Sequence, residues 1–429
     1  MSVIDDILSK NTIPRMIPVK QTFPRPKVEH IEAELLRVVE EAGMLSRIRP
    51  GMRVGITAGS RGVSNILRVY QELVRIVRRQ GADPFVFPAM GSHGGATAEG
   101  QVEILRHLGI TEESLGCPIL SSMKTDLLGY SKKNGLPVYT DRIANAADAV
   151  ILVNRVKIHT SFRGPVESGL CKMSVIGMGK QKGAELCHKR GWERMLDSIT
   201  DIAETVLEKS KVIFGVALVE NGYDETARIA CLPAERILKD EPALLDEARA
   251  YMPSIPFKDY DILIVDQMGK EYSGAGMDTN VISRYPSKAI PPDPRQYIIA
   301  VLDLSDGSMG NAIGMGLADV TTRRLFDKWD MESSYINNLT NGTLQNYKLP
   351  MVMPDDRRAI LAAIHLCRLS DTTRARIVRI PNTLQLSRLQ VSEALLDEAR
   401  ALGLSVCGEA EDLVFGEDGA LLSPISKRN

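Results

Sequence analysis

The chain has 429 residues, 25% of them charged and 44% hydrophobic, with a formal net charge of −1. That length exceeds one ordinary core and points to two domains. The even charge balance excludes a general electrostatic grip on nucleic acid or acidic membranes, and the absence of any apolar run of eighteen residues excludes a membrane-spanning helix.

The first thirty residues carry no long apolar run, so no signal peptide is expected. Short apolar runs bounded by Gly, Asp or Pro follow: MRVGIT, PFVFPAM, AVILVN and VIFGVALV read as buried strands. Between them SNILRVYQELVRIVRRQG and WERMLDSITDIAETVLEKSK repeat apolar residues every three or four positions, as helices do. The helix AERILKDEPALLDEARAYM is interrupted by Pro253 and Pro256, and YDILIVDQMG and YIIAVLDLS begin a second series that runs to ARIVRIPN. The expected fold is therefore α/β: two domains with mainly parallel sheets flanked by helices and an active site in the cleft between them. Residues 1–256 form the expected first domain, with 403–429 returning to it, and 257–402 form the second. Six dispersed cysteines with no C-x-x-C pattern fit a reduced, cytoplasmic protein.

Polar residues gather after the strands. Ser60-Arg61 follows MRVGIT, His93 stands in GSHGG after PFVFPAM, and Arg155, Lys157, His159 and Arg163 follow AVILVN. In a parallel sheet the loops leaving the strands' carboxyl ends share one edge, where ligands bind. His30, His107 and His365 lie in helix-like stretches and read as structural. His93 sits among glycines, where packing has little use for an imidazole. His159 taken by itself reads equally well as an ordinary loop histidine.

The stretch GLCKMSVIGMGKQKGAELCHKRG, from Gly169 to Gly191, sets Lys172 and His188 sixteen residues apart. It is not a P-loop, since Gly179-Lys180 is followed by Gln181 and no glycine lies five positions earlier. Gly177, Gly179 and Gly183 are spaced one residue too long for a dinucleotide fingerprint. A metal site built from Cys171, Cys187 and His188 is the competing reading, although the two cysteines lack the close spacing of a metal clip.

Taken in order, Ser60-Arg61, His93 in MGSHGGAT, His159, and the pair Lys172 and His188 resemble the nickel-pincer-nucleotide-dependent lactate racemase superfamily. The resemblance covers roughly residues 50 to 195 well and the second domain loosely. It implies a racemase or epimerase of a 2-hydroxy acid. The implied cofactor is a pyridinium-3-thioamide-5-thiocarboxylic acid mononucleotide that holds nickel between two sulfur-bearing arms. Lys172 matches the lysine joined covalently to one arm, and His188 the histidine that ligates the metal. Neutral imidazole suits nickel, and a near-planar site with three positions filled needs only one protein ligand. His93 and His159 match two acid/base histidines that take the hydroxyl proton from opposite enantiomers while hydride moves to the cofactor, and Arg61 matches an arginine for the substrate carboxylate. The glycines around Lys172 would let backbone approach the flat ring, and Arg155, Lys157, Arg163, Lys180 and Lys182 are candidate neighbours of its phosphate. Partners implied are the small 2-hydroxy acid and proteins that make and load the cofactor.

Departures from the pattern fall on the substrate pocket. Ala58 stands where the family carries an acidic residue three before the arginine. The second-domain motif survives as Asp278-Thr279-Asn280, but the following Tyr-Gln pair reads Ile282-Ser283, with Lys270 or Arg284 as stand-ins for a lysine. Asp355-Asp356-Arg357 occupies the place of a tryptophan. Lactate is thus one candidate beside malate, a hydroxyglutarate or a sugar acid. Two other readings stand: an oxidoreductase with net redox chemistry on the same scaffold, and a non-catalytic small-anion-binding protein.

Overall fold

The computed structural model describes residues 2–291 and 297–423, together with Ile425. The chain divides into two compact units, Pro24–Met252 and Met1–Phe23 with Pro253–Asn429.

In the first unit the strands are β1 (Arg53–Ala58), β2 (Asp83–Pro88), β3 (Thr125–Tyr130), β4 (Pro137–Asp141), β5 (Ala149–Arg155), β6 (Val212–Glu220) and β7 (Thr226–Pro233). Five of them form one sheet in the order β2-β1-β5-β6-β7, parallel except for the antiparallel edge strand β7. Nearly every residue of β1, β2 and β5 is buried, which is why these strands read as continuous apolar runs rather than alternating ones. The antiparallel pair β3–β4 was not expected from the sequence; its residues are mostly half-exposed and lack an apolar signature.

The helices that matter for the site are α1 (Ile66–Arg79), α2 (Ala98–His107), α3 (Leu170–Lys172), α4 (Lys180–Lys189), α5 (Met195–Lys209) and α6 (Ile237–Tyr251). On α1, Val69, Tyr70, Leu73, Val74, Ile76 and Val77 are buried in the core against β1 and β5. Burial of each such side chain contributes about 1.5–3 kcal/mol. Thr97 caps α2 by accepting the Gly100 N–H, so the helix starts immediately after the His93 loop. Between α3 and α4 the chain forms a π-helical turn, Met173–Gly177.

The second unit is built on an eight-stranded sheet. Strands Met351–Met353, Val320–Thr322, Ile298–Val301, Ile262–Val265 and Ile377–Ile380 lie side by side and parallel. Arg388–Ser392, Met16–Lys20 and Ser405–Val406 extend the sheet in antiparallel fashion. The described residues among 1–23 and 403–429 therefore belong to this unit and not, as expected, to the first. An open sheet edge presents unpaired backbone donors and acceptors, and these flanking segments pair with it. The first unit ends at Met252, where α6 stops before Pro253. Among the described residues, no helix is long and apolar enough to cross a membrane.

Candidate active site

Three neighbouring strands of the first unit, in the order β2-β1-β5, deliver His93, Arg61 and His159 from their carboxyl ends. His93 is exposed on the glycine-rich turn after β2; His159, Lys172 and His188 are half-buried.

The loop after β5 is held by a residue that the sequence reading missed. Glu167 is fully buried, and its carboxylate accepts the N–H of His159 at 2.7 Å and an N–H of Arg249 at 2.7 Å. His159 Nδ1 accepts the Ser161 N–H at 3.0 Å, while Nε2 lies 2.8 Å from Lys172 Nζ. With Nδ1 accepting, a neutral imidazole carries its proton on Nε2 and can donate it to Lys172 only where that amine is uncharged, which is its minor form at neutral pH and its main form above about pH 8.

The electrostatic setting brings the uncharged amine within reach. Burial, reinforced by the Arg61 and Lys157 charges, pushes Lys172 down to about 8. Burial and then the neighbouring Lys172 bring His188 down to about 4. His159 is held well below the usual histidine range by burial first, then by Lys172, Lys157, His188 and Arg163. Arg61 presents much of its surface to solvent, yet protein crowding its guanidinium and the nearby Arg155 charge both disfavour its cation. Two neutral imidazoles and a readily deprotonated amine are thus gathered inside a cationic surround that favours an anionic ligand.

Trp192 joins the two halves of the site. Its ring centroid is 5.8 Å from that of His159 and 5.2 Å from that of His188, the latter edge-on. Only the scarcity of tryptophan, two in the chain, marked it in the sequence. Its spacing from His188 is helical, but α4 ends first and Gly191, at φ +81°, turns the chain back.

A cofactor-holding role can be tested on His188. Its Nδ1 is buried without a hydrogen-bond partner among the described residues, and the ring is neutral at ordinary pH, as a metal ligand must be. The thiol alternative fares worse. Cys171 and Cys187 are fully buried, and burial raises Cys171 and pushes Cys187 up to about 12, so neither is a ready thiolate. Among the described residues, no group of three or more His, Cys, Asp or Glu could hold a metal ion.

Several expectations change. The glycines of the Lys172 segment face protein, not open space: a Cβ at Gly177 would lie 2.7 Å from Ala89 O, and one at Gly179 would lie 2.1 Å from Val175 O. They allow the π turn to pack tightly instead of admitting a flat ring. Of the candidate phosphate neighbours, Lys180 is fully buried, Arg155 pairs with Glu220, and Arg163 donates to the His159 carbonyl. Lys182 lies over the Tyr139 ring, and Lys157 contributes positive potential to Lys172 and His159. In the second unit Arg284 binds the Leu317 and Tyr297 carbonyls and Asp319, at the strands' starting ends, so it does not replace a carboxyl-edge lysine. Asp278 accepts from Asn280 within its own turn, and Asp355 caps the helix Asp356–Leu366. A cavity of about 950 Å³ in that unit, lined in part by Asp261, Arg284, Lys288 and Arg368, contains none of the five matched residues.

The lowered amine pKa has a measurable consequence. In protein without cofactor, acylation of Lys172 by a small amine-reactive reagent should reach half its maximal rate near pH 8, well before an ordinary lysine near 10.4. Peptide mapping across a pH series checks this, and a Lys172 profile matching that of exposed lysines would contradict the assignment.

No protein-family model and no curated protein matches the sequence. The fold is similar to a solved structure, the lactate racemase apoprotein from Thermoanaerobacterium thermosaccharolyticum, with a TM-score of 0.51 and 12% identity. The match covers 87% of this chain and 99% of that one. At such identity the likeness is one of fold: α/β, with mainly parallel sheets flanked by helices.

Proposed function

We propose that this chain is a racemase or epimerase of a 2-hydroxy acid that works with a lysine-tethered nickel-pincer nucleotide. The observation that carries the reading is the contact between His159 and a Lys172 whose pKa is lowered to about 8, with neutral His188 against the same Trp192 ring as His159. An uncharged amine is the form that can make a covalent bond to an acyl or thioacyl carbon. His188 offers one neutral imidazole, the donor that a nickel ion already held on three sides requires. The similarity of fold to a lactate racemase apoprotein supports the same reading.

When bound, such a cofactor supplies a hydride acceptor. The protein residues handle the proton and the carboxylate. Arg61 holds the substrate carboxylate through a planar two-pronged donor. His93 and His159, in the loops after the two strands that flank β1, take or return the hydroxyl proton for opposite enantiomers. His159 has a condition to meet. Its Nε2 carries the proton while Ser161 donates to Nδ1, so Nε2 becomes a base only after the proton moves to Nδ1 and the Ser161 bond is released. Returning the proton requires the imidazolium, which His159 becomes once it has taken the substrate's hydroxyl proton.

The experiment is production of the protein alongside cofactor-synthesis enzymes, nickel analysis, and a screen of chiral 2-hydroxy acids for loss of optical purity without added nicotinamide cofactor. Replacing His93 or His159 by alanine should lower interconversion about 10²–10⁴-fold while the Lys172 adduct persists. Near-normal turnover in both directions by both variants would defeat the two-base reading.

A further inference from the structure

Lys180, one of several candidate phosphate neighbours in the sequence, is fully buried at the start of α4, where its backbone adopts φ +53°, a left-handed conformation rare for residues with side chains. Its Nζ donates to Pro88 O at 2.6 Å and to Gln101 Oε1 at 3.0 Å, and lies 3.0 Å from Asp141 Oδ2. Gln101 and Asp141 are also fully buried. Gln101 turns its other end to the His93 loop, with Nε2 donating to Gly91 O at 2.9 Å and His93 O at 3.2 Å. The amide has one workable orientation: a flip would set its NH₂ against an ammonium and its oxygen against two carbonyls.

The loop has reasons to need such a clamp. Gly91, Gly94 and Gly95 all have φ above +60°, and Ala96 has φ +55°. Gly94 lies so close to α2 that a Cβ there would sit 2.5 Å from the Gly100 carbonyl carbon. His93 itself is exposed, and its carbonyl is one of the two that Gln101 holds.

We propose that Gln101, oriented by the buried Lys180–Asp141 pair, is the positioning residue for His93. It rests on the function proposed above only for the use made of His93; the clamp itself is read independently. Gln101→Glu isolates the effect, because it retains an acceptor for Lys180 but turns a second oxygen toward the two loop carbonyls. Amide hydrogen exchange in peptides covering residues 89–97 should quicken about tenfold or more, as loss of one or two buried hydrogen bonds implies, while peptides of α4 containing His188 stay unchanged. In loaded enzyme kcat should fall with KM unchanged, and adding Gln101→Glu to His93→Ala should cause no further loss, since both act through one group. Gln101→Met, lacking the added charge, serves with the same expected loop release if the Glu variant folds poorly. Wild-type loop exchange in both variants would overturn the proposal, as would a full additional loss in the double variant. A wild-type protein inert to every 2-hydroxy acid would instead defeat the proposed function and leave the exchange result to decide the clamp.

Discussion

Alanine at position 172 should remove every covalent adduct from protein produced with the cofactor-synthesis enzymes. Lysine is the residue whose uncharged amine can form such a bond, and burial with the nearby Arg61 and Lys157 charges lowers the Lys172 pKa to about 8, which makes that form accessible. The bond survives denaturation, whereas a histidine–metal bond does not. Mass spectrometry of the denatured wild type should therefore show added mass on the Lys172 peptide, and Lys172→Ala the bare sequence mass. His188→Ala should retain the organic adduct while bound nickel falls, because the cofactor's own donors still grip the metal. The cysteine alternative has the opposite signature, with no adduct in any sample and metal lost on changing Cys171 or Cys187. A bare sequence mass in active wild-type protein would end the tether assignment.

Lys180→Met should be among the most destabilising single changes in the first unit, at about 3–5 kcal/mol. Burial pushes Asp141 toward its neutral form and Lys180 likewise, each opposed by the other's charge. Removing the ammonium leaves a buried carboxylate without its counter-charge and strips a donor from Pro88 O and Gln101. For a unit of this size the loss corresponds to a lowering of the relevant thermal transition by roughly 6–20 °C. Asp141→Asn in the same chain should restore part of it: both charges are then gone, and the side-chain oxygen that caps Ile143 remains. Calorimetry of the two single variants and the double variant checks the cycle. A Lys180→Met protein that melts with the wild type would show that the pair carries no structural weight.

The residues that resemble a known site were legible in the sequence because chemistry and loop position are local properties. Arg61, His93 and His159 each follow an apolar strand run, and a parallel sheet must bring such loops to one edge. The fold class followed in the same way, from short apolar runs alternating with helical ones. Tertiary structure alone decided what depends on partners distant in the chain. Met16–Lys20 and Ser405–Val406 join the second unit's sheet because its open edge offers backbone groups to pair, a fact no flanking pattern encodes. The lowered pKa of Lys172 comes from burial and from the Arg61 and Lys157 charges that folding brings near it, and Lys180 became a buried anchor because Pro88, Gln101 and Asp141 converge on it. A lysine in a sequence reads as a solvated charge until folding takes its water away and shows what replaces it.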